Sequence, residues 1–322
     1  MALTIQSLQS LQLLQVHWAL AVLLLAVAID LILGEPPAKF HPVVVMGKMI
    51  ATLRKRASPS RICGIGIAFL VISSAVIAGH LLIEAARIVP IFGLILGLFV
   101  SAYLLKSTIA IRCLLETSAQ IGRMIEEDPD GAKTMLPALV SRDPGHLSKS
   151  QASSAVIESL SENYVDTVVS PLFYYLIFAP LGLGVEAALA YKAINTLDSM
   201  LGYKTEELKD LGWASANLDD LANWIPARLS LPIMAISMPR RAGKILKTAL
   251  KDRANPPSPN SGWPMAAAAG ALGVRLEKPG VYIVGDGKDP IPSDISSALK
   301  FVRTAIALSL IVTGALLVLL MA

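Results

Sequence analysis

The sequence predicts an all-α, polytopic integral membrane protein. Three observations carry this. Of its 322 residues, 54% are hydrophobic and only 16% charged, against about 25% charged in a soluble globular domain. Mean hydropathy is +0.61. Several apolar stretches approach the roughly 20 residues needed to cross the hydrocarbon core.

The clear spans are Trp18–Leu33, Ile62–Ile83, Ile88–Ile111 and Phe301–Met321. A fifth region, Val165–Met200, is long enough for a hairpin of two short spans turning at Ala179–Gly184, where Pro and Gly punctuate the run. Leu229–Met238 is too short to span and contains Pro232, so it reads as a re-entrant or interfacial helix. About six transmembrane helices in a single integral membrane domain, residues 1–322, are expected.

Basic residues set the orientation. Lys39, Lys48, Arg54, Lys55, Arg56 and Arg61 lie in Gly34–Arg61, and Arg240, Arg241, Lys244, Lys247, Lys251 and Arg253 lie in Pro239–Arg253. Residues 1–16 carry no basic residue, so no signal peptide is evident there. With both basic segments in the cytoplasm, residues 34–61, 112–164 and 202–300 all fall on that side and form the expected active-site face. The protein is expected to be multi-pass in the inner (cytoplasmic) membrane. One-sided polarity favours a membrane enzyme over a transporter, which would place polar residues on both sides.

Three polar constellations stand out. In "DLILGEPPAKFHPV", Asp30 sits inside the end of an apolar span, a costly and usually functional position. Gly34, Pro36, Pro37 and Pro42 stiffen the loop that follows and hold Glu35 and His41. In "SRDPGHLSKSQASSAVIESLSENYVD", a helix would align Glu158, Glu162 and Asp166 at i, i+4 and i+8, beside Asn163. Like charges at that spacing repel, so a bound Mg²⁺ or a basic partner is expected; hard oxygen ligands suit Mg²⁺ and a phosphate. Glu158 and Glu162 are the candidate metal ligands, and Arg142 with Asp143 the candidate clamp for phosphate or carboxylate. In Tyr191–Leu229, Tyr191, Asn195 and Asp198 share one helix face and Lys192 neighbours it, with Asp219, Asp220 and Arg228 following. "NPPSPNSGWP" then contributes Asn260 and Trp263. Solvated faces, or a polar network that only joins helices, are the simpler readings of the same residues. His80 reads as a packing or hydrogen-bonding group. No Walker-type loop, HExxH or Cys/His zinc spacing occurs.

Six stretches in order, "DLILGEPPAKFHPV", "SRDPG", "ESLSENYVDTVVSPLFYY", "YKAINTLDSMLGYK", "GWASANLDDLANWIPARL" and "PNSGWPMAAAAGALGVRL", cover about Asp30–Leu276. Together they resemble the CobD/CbiB family, the membrane-bound adenosylcobinamide-phosphate synthases of cobalamin biosynthesis. The resemblance implies a ligase that joins a carboxylate of adenosylcobyric acid to an amino alcohol, or its phosphate, as an amide, with ATP as cosubstrate and Mg²⁺. On this reading Glu158, Glu162, Asp166, Lys192, Asp198 and His41 are catalytic. Asp30, Arg142, Asp143, Asn163, Tyr191, Asn195, Asp219, Asp220, Arg228, Asn260 and Trp263 bind substrate. Membrane lipid and other corrinoid-pathway enzymes are the further partners expected, and nothing points to nucleic acid. A transporter, or a non-catalytic AmpE-like sensor or scaffold, is the alternative.

The orientation is directly testable. A cysteine introduced near Lys247 is expected to be shielded from an impermeant thiol reagent added to intact cells. Ready labelling would overturn both the orientation and the re-entrant reading of Leu229–Met238.

Overall fold

The computed structural model describes residues 5–140, 145, 147–203 and 205–320. Among these, the first half of the chain forms α1 (Ile5–Leu33), α2 (Pro42–Arg54), α3 (Arg61–Arg87), α4 (Gly93–Lys106), α5 (Ile111–Glu127), α6 (Pro129–Met135) and α7 (Lys149–Tyr164). A π-helical turn over Val165–Val169 leads into α8 (Ser170–Phe178), followed by α9 (Gly184–Leu201), α10 (Trp213–Ala222) and α11 (Trp224–Ser237). Then come α12 (Ala242–Asp252), α13 (Gly262–Leu272), the strands β1 (Leu276–Lys278) and β2 (Tyr282–Val284), and α14 (Pro292–Leu319). The all-α expectation holds except for this one small hairpin, which is antiparallel with Leu276 opposite Val284.

Helix ends follow local chemistry. Ser60 caps α3 by accepting from the Cys63 amide, and Ser148 forms a reciprocal capping box with Gln151 at the start of α7. Pro42 and Pro129 open α2 and α6, where the missing N–H costs nothing. The expected Ala179–Gly184 turn is present. Gly182 there takes φ 72°, and Gly273 closes α13 at φ 70°, conformations open to glycine without a Cβ clash.

Among the described residues, four stretches are long and apolar enough to cross a membrane: Arg61–Arg87, Gly93–Glu127, Lys149–Leu181 and Pro292–Leu319; His17–Leu33 is a shorter apolar helix. About six were expected. The third begins at Gly93 rather than Ile88, since Ile88–Phe92 turn around Pro90. The first arm of the Val165–Met200 hairpin belongs to a longer run that starts at Lys149. Its second arm, α9, carries Glu186, Lys192 and Asp198 and is not among the four. Leu229–Met238 lies largely within α11, with Pro232 inside the helix.

The chain divides into two compact units: Met1–Ala110 with Ser170–Ala222 and Leu310–Ala322, and Ile111–Val169 with Asn223–Ser309. In the first unit α9 packs on α3, α8, α10, α2 and α4. Gly79 on α3 lies directly against Leu189 of α9, and a small residue at such a crossing lets two helices approach closely. Tyr175 is buried and donates to the Ala19 carbonyl at 2.6 Å. In the second unit α13, rich in alanine and almost wholly buried, packs on α12, α11 and α7. Buried Tyr164 pairs with Ser309 at 2.7 Å.

The first unit also buries a charge. Lys106, at the end of α4, has no solvent exposure; its Nζ lies 3.2 Å from Asp30, itself fully buried, and 2.7 Å from Glu35. Glu35 in turn meets His41 Nε2 at 2.9 Å. Burial works to raise the Glu35 carboxyl pKa, but the His41 and Lys106 contacts outweigh it and hold the carboxyl below its ordinary value. A depressed carboxyl contributes stability above its unfolded value, near 4.5, and loses it as pH falls through the folded value. The melting temperature is therefore expected to fall on acidification below about pH 4.5, and Glu35→Gln is expected to shrink that pH dependence. Lys106→Met removes the cation facing Asp30 and is expected to cost about 3–5 kcal/mol, with the double variant Asp30→Asn, Lys106→Met recovering a large part in the same melting assay.

Candidate active site

In the first unit the third constellation gathers at the C-terminal part of α9. Lys192 Nζ lies 3.4 Å from Asn195 Oδ1, and Asn195 Nδ2 donates to Asp219 Oδ1 on α10 at 3.3 Å. Asp219 and Asp220 bring two further carboxylates within electrostatic reach of Asp198. Three acids at close quarters repel unless a cation lies among them. Tyr191 is buried in the same helix and stacks on Tyr174, with centroids 5.5 Å apart and planes 17° apart. Tyr174 donates to the Ala222 carbonyl at the end of α10, tying the two helices together.

Asp30 and His41 belong to the same unit, in the Lys106 network. The backbone amide of Val43 donates to His41 Nδ1 at 3.2 Å, so that nitrogen is the acceptor and Nε2 carries the proton toward Glu35. Both ring nitrogens are thus engaged: His41 caps α2 through one and meets Glu35 through the other. Lys106 escaped the sequence reading although a lone lysine near the end of an apolar run is itself a signal.

The acidic stripe lies in the second unit. Glu158 is buried; Ser154 donates to its Oε1 and Tyr282 to its Oε2, both at 2.7 Å. Tyr282 comes from β2, and Ser154 also accepts from the Glu277 amide of β1 at 2.7 Å, so the hairpin is fastened to α7 through this carboxylate. Glu162 and Asn163 lie one turn on, half-buried. Asn163 donates to the Ser159 carbonyl at 2.9 Å and hydroxyl at 3.0 Å. Asp166 falls in the π turn, where the wider winding takes it off the straight i, i+4, i+8 line expected of a regular helix. Among the described residues no group of three or more His, Cys, Asp or Glu is arranged to hold a metal ion.

A second cluster in this unit is cationic and aromatic. Arg228 on α11 donates to the Trp224 carbonyl at 2.6 Å and to Asn260 Oδ1 at 3.3 Å. Its guanidinium lies 4.0 Å from the Trp224 ring centroid and 5.2 Å from that of Trp263; Arg253 lies 5.1 Å from Trp263 as well. Among the described residues neither arginine has a carboxylate partner. Desolvation and the nearby Arg253 charge both lower the Arg228 pKa. Two cations flanking an indole, with donors to spare, suit an anion with a planar or apolar neighbour. The Pro-rich loop builds this seat: Ser258 Oγ accepts from the amides of Asn260 and Ser261. Trp224, Arg253, Ser154 and Tyr282 were not singled out from sequence; Trp224 and Ser154 act one helical turn from Arg228 and Glu158, while Tyr282 reaches Glu158 from 124 residues away. Arg142 and Asp143 lie outside the described residues.

With this geometry in hand, the comparisons with known proteins are specific. The CobD/Cbib protein family matches residues 23–310. A probable cobalamin biosynthesis protein CobD from Methanothrix thermoacetophila is 54% identical over 307 residues, 93% of this chain and 97% of that protein. A probable cobalamin biosynthesis protein CobD from Methanothermobacter thermautotrophicus is 40% identical, covering 92% and 98%, and a cobalamin biosynthesis protein CobD from Rhodobacter capsulatus is 36% identical, covering 91% and 96%. No solved structure matches. A family match over nearly the whole chain, with relatives covered almost end to end, establishes that this chain belongs to the CobD/CbiB family.

Proposed function

We propose that this protein is a membrane enzyme of cobalamin biosynthesis that forms an amide between a carboxylate of adenosylcobyric acid and an amino alcohol or its phosphate, at the expense of ATP. Family membership and the names of the relatives support the pathway. One structural observation supports the reaction class: the Arg228–Asn260–Trp263–Arg253 seat, two guanidiniums without carboxylate partners among the described residues, is of the kind that holds a phosphate beside an aromatic face.

The chemistry sets what the residues must supply. A carboxylate is a poor acyl donor, so its oxygen must first become part of a phosphoryl or adenylyl leaving group. The amine nitrogen then forms the C–N bond as that C–O bond breaks, after the incoming ammonium has given up a proton. Arg228 and Arg253 bind and orient a phosphate. Glu162 and Asp166, half-buried near the middle of the Lys149–Leu181 run, are the candidates to hold the ammonium and take its proton. Lys192 offers a cation for a substrate carboxylate.

For Mg²⁺ the donor sets differ. Both oxygens of Glu158 already accept from hydroxyls and fasten the β-hairpin, so this carboxylate is the weaker candidate. Asp198, Asp219 and Asp220 are not arranged as a three-ligand cage, but one or two of these carboxylates, completed by water and substrate phosphate, are oxygen donors of the type Mg²⁺ uses. An ion bound at that first-unit cluster would supply charge neutralisation for a phosphate brought to the same cluster. The reading places the site at the cytoplasmic face of the inner membrane, where an amphipathic corrin can rest on apolar helix ends.

Purified protein in detergent, given the corrinoid acid, an amino alcohol or its phosphate, ATP and Mg²⁺, is expected to yield product of the amide mass; absence of any mass gain across the amines would overturn the reading. Glu162→Gln is expected to leave melting nearly unchanged while cutting turnover on the order of 10²-fold. Arg228→Lys keeps the charge but loses the forked, stacked geometry; KM for the phosphate-bearing substrate is expected to rise about tenfold, the scale of one charge-assisted hydrogen bond, with kcat less affected. Asp220→Asn is expected to raise thermal stability without Mg²⁺ and to abolish the stabilisation that Mg²⁺ gives the wild type. Equal Mg²⁺ stabilisation in both would remove this cluster from the metal site.

A further inference from the structure

The first unit holds a second polar constellation at the opposite end of α9. Glu186, in the first turn, stands twelve residues before Asp198, about 18 Å along a helix. Its carboxylate is 6% exposed and meets His80 Nδ1 on α3 at 2.9 Å. None of the groups assigned to the proposed reaction reaches it, and a buried acid with no task is costly.

Two clefts flank Glu186. One, of about 380 Å³, is lined by Trp18, Arg87, Leu94, Ser101, Tyr175 and Glu186. The other, of about 490 Å³, is almost wholly apolar apart from His80 and Glu186. Both lie in the range of small-molecule sites, roughly 300–1,000 Å³. The first contains an unanswered group: Ser101 is 1% exposed, and its Oγ has no hydrogen-bond partner among the described residues. A buried hydroxyl lining a cavity without a protein partner calls for a ligand or water atom opposite it.

The lining carries both signs of charge in a defined order. Arg87, in the last turn of α3, donates one N–H to Glu84 at 2.7 Å and lies 5.0 Å from the Trp18 ring centroid, leaving its other donors for an anion. An arginine on a tryptophan at a helix end is typical of the membrane interface. Glu186 lies deeper and offers its carboxylate to a cation. The surroundings are apolar: Leu94, on a stretch apolar enough to span, is 75% exposed, and Ile88 and Phe92 in the turn before it are 79% and 62% exposed. An occupant therefore enters from the bilayer.

We propose that this cleft is a lipid site, taking a phospholipid whose headgroup carries both a phosphate and a primary amine: phosphate on Arg87, ammonium toward Glu186 and Ser101, and an acyl chain along the apolar cleft. The site is independent of the proposed reaction and stands at the other end of α9 from its acids. Gly97 keeps the seat open, because a Cβ there would lie 2.7 Å from Arg87 Cγ and 3.7 Å from Trp18 Cη2.

The test uses the full chain in mild detergent, with native mass spectrometry of retained lipid and melting temperature as paired readouts. The probes are phosphatidylethanolamine, phosphatidylglycerol and soluble phosphoethanolamine. Wild type is expected to retain, and be stabilised by, phosphatidylethanolamine over phosphatidylglycerol, with phosphoethanolamine giving no stabilisation. Arg87→Gln and Glu186→Gln are each expected to cut retention on the order of tenfold, the scale of one charge-assisted hydrogen bond. Should either fail to fold, Gly97→Ala, which keeps every charge but displaces Arg87, decides by the same loss. Equal retention of phosphatidylglycerol, equal stabilisation by the soluble headgroup, or full retention in the folded variants overturns the proposal.

Discussion

A lysine with no exposed surface sets the terms of the first unit. Lys106 cannot remain charged in an apolar interior unless acids meet it there, and Asp30 and Glu35 do so from the end of α1 and the loop behind it. That requirement brings three elements together. The stiff Gly-Pro loop must deliver Glu35, His41 must cap α2 and hold Glu35 in line, and α4 must end where its ammonium reaches both acids. The same rule, that a polar group in an apolar setting needs a partner, explains the His80–Glu186 pair and the chain from Lys192 through Asn195 to Asp219.

The second unit obeys the rule with neutral donors. Glu158 is answered by two hydroxyls, and one of them anchors a β-hairpin to α7. A carboxylate so engaged is a structural bolt. Next to it, Glu162 is half-buried, and Asp166 lies where the helix widens into a π turn, a distortion frequent at functional sites. In this turn Thr167 donates its hydroxyl to the Asn163 carbonyl at 2.7 Å.

Within the first unit, α9 carries two different environments. Its C-terminal end gathers acids and an amide, suited to hydrated ions and phosphates. Its N-terminal end has one buried acid between a mixed cleft and an apolar one, suited to an amphiphile. A single helix of 18 residues is long enough to separate these chemistries, and α3, α4 and α8 enclose it so that neither end requires a loop excursion.

The membrane character, the helical class, the Ala179–Gly184 turn and the family were legible from the sequence, because apolar length, Pro/Gly punctuation and ordered motifs are local properties of the chain. Asp30, Asp198, Asp219, Asp220 and Arg228 were legible too, since a charge beside an apolar run is conspicuous without coordinates. What each of those charges meets was decided only by tertiary structure. That Lys106 faces Asp30, that Tyr282 closes on Glu158 across 124 residues, that Arg253 and Arg228 share Trp263, and that His41 spends one nitrogen on a helix cap and the other on Glu35 are outcomes of packing. The reason is physical: hydropathy is summed along the chain, whereas the partner of a buried charge is set by distances of about 3 Å between residues at any separation along it.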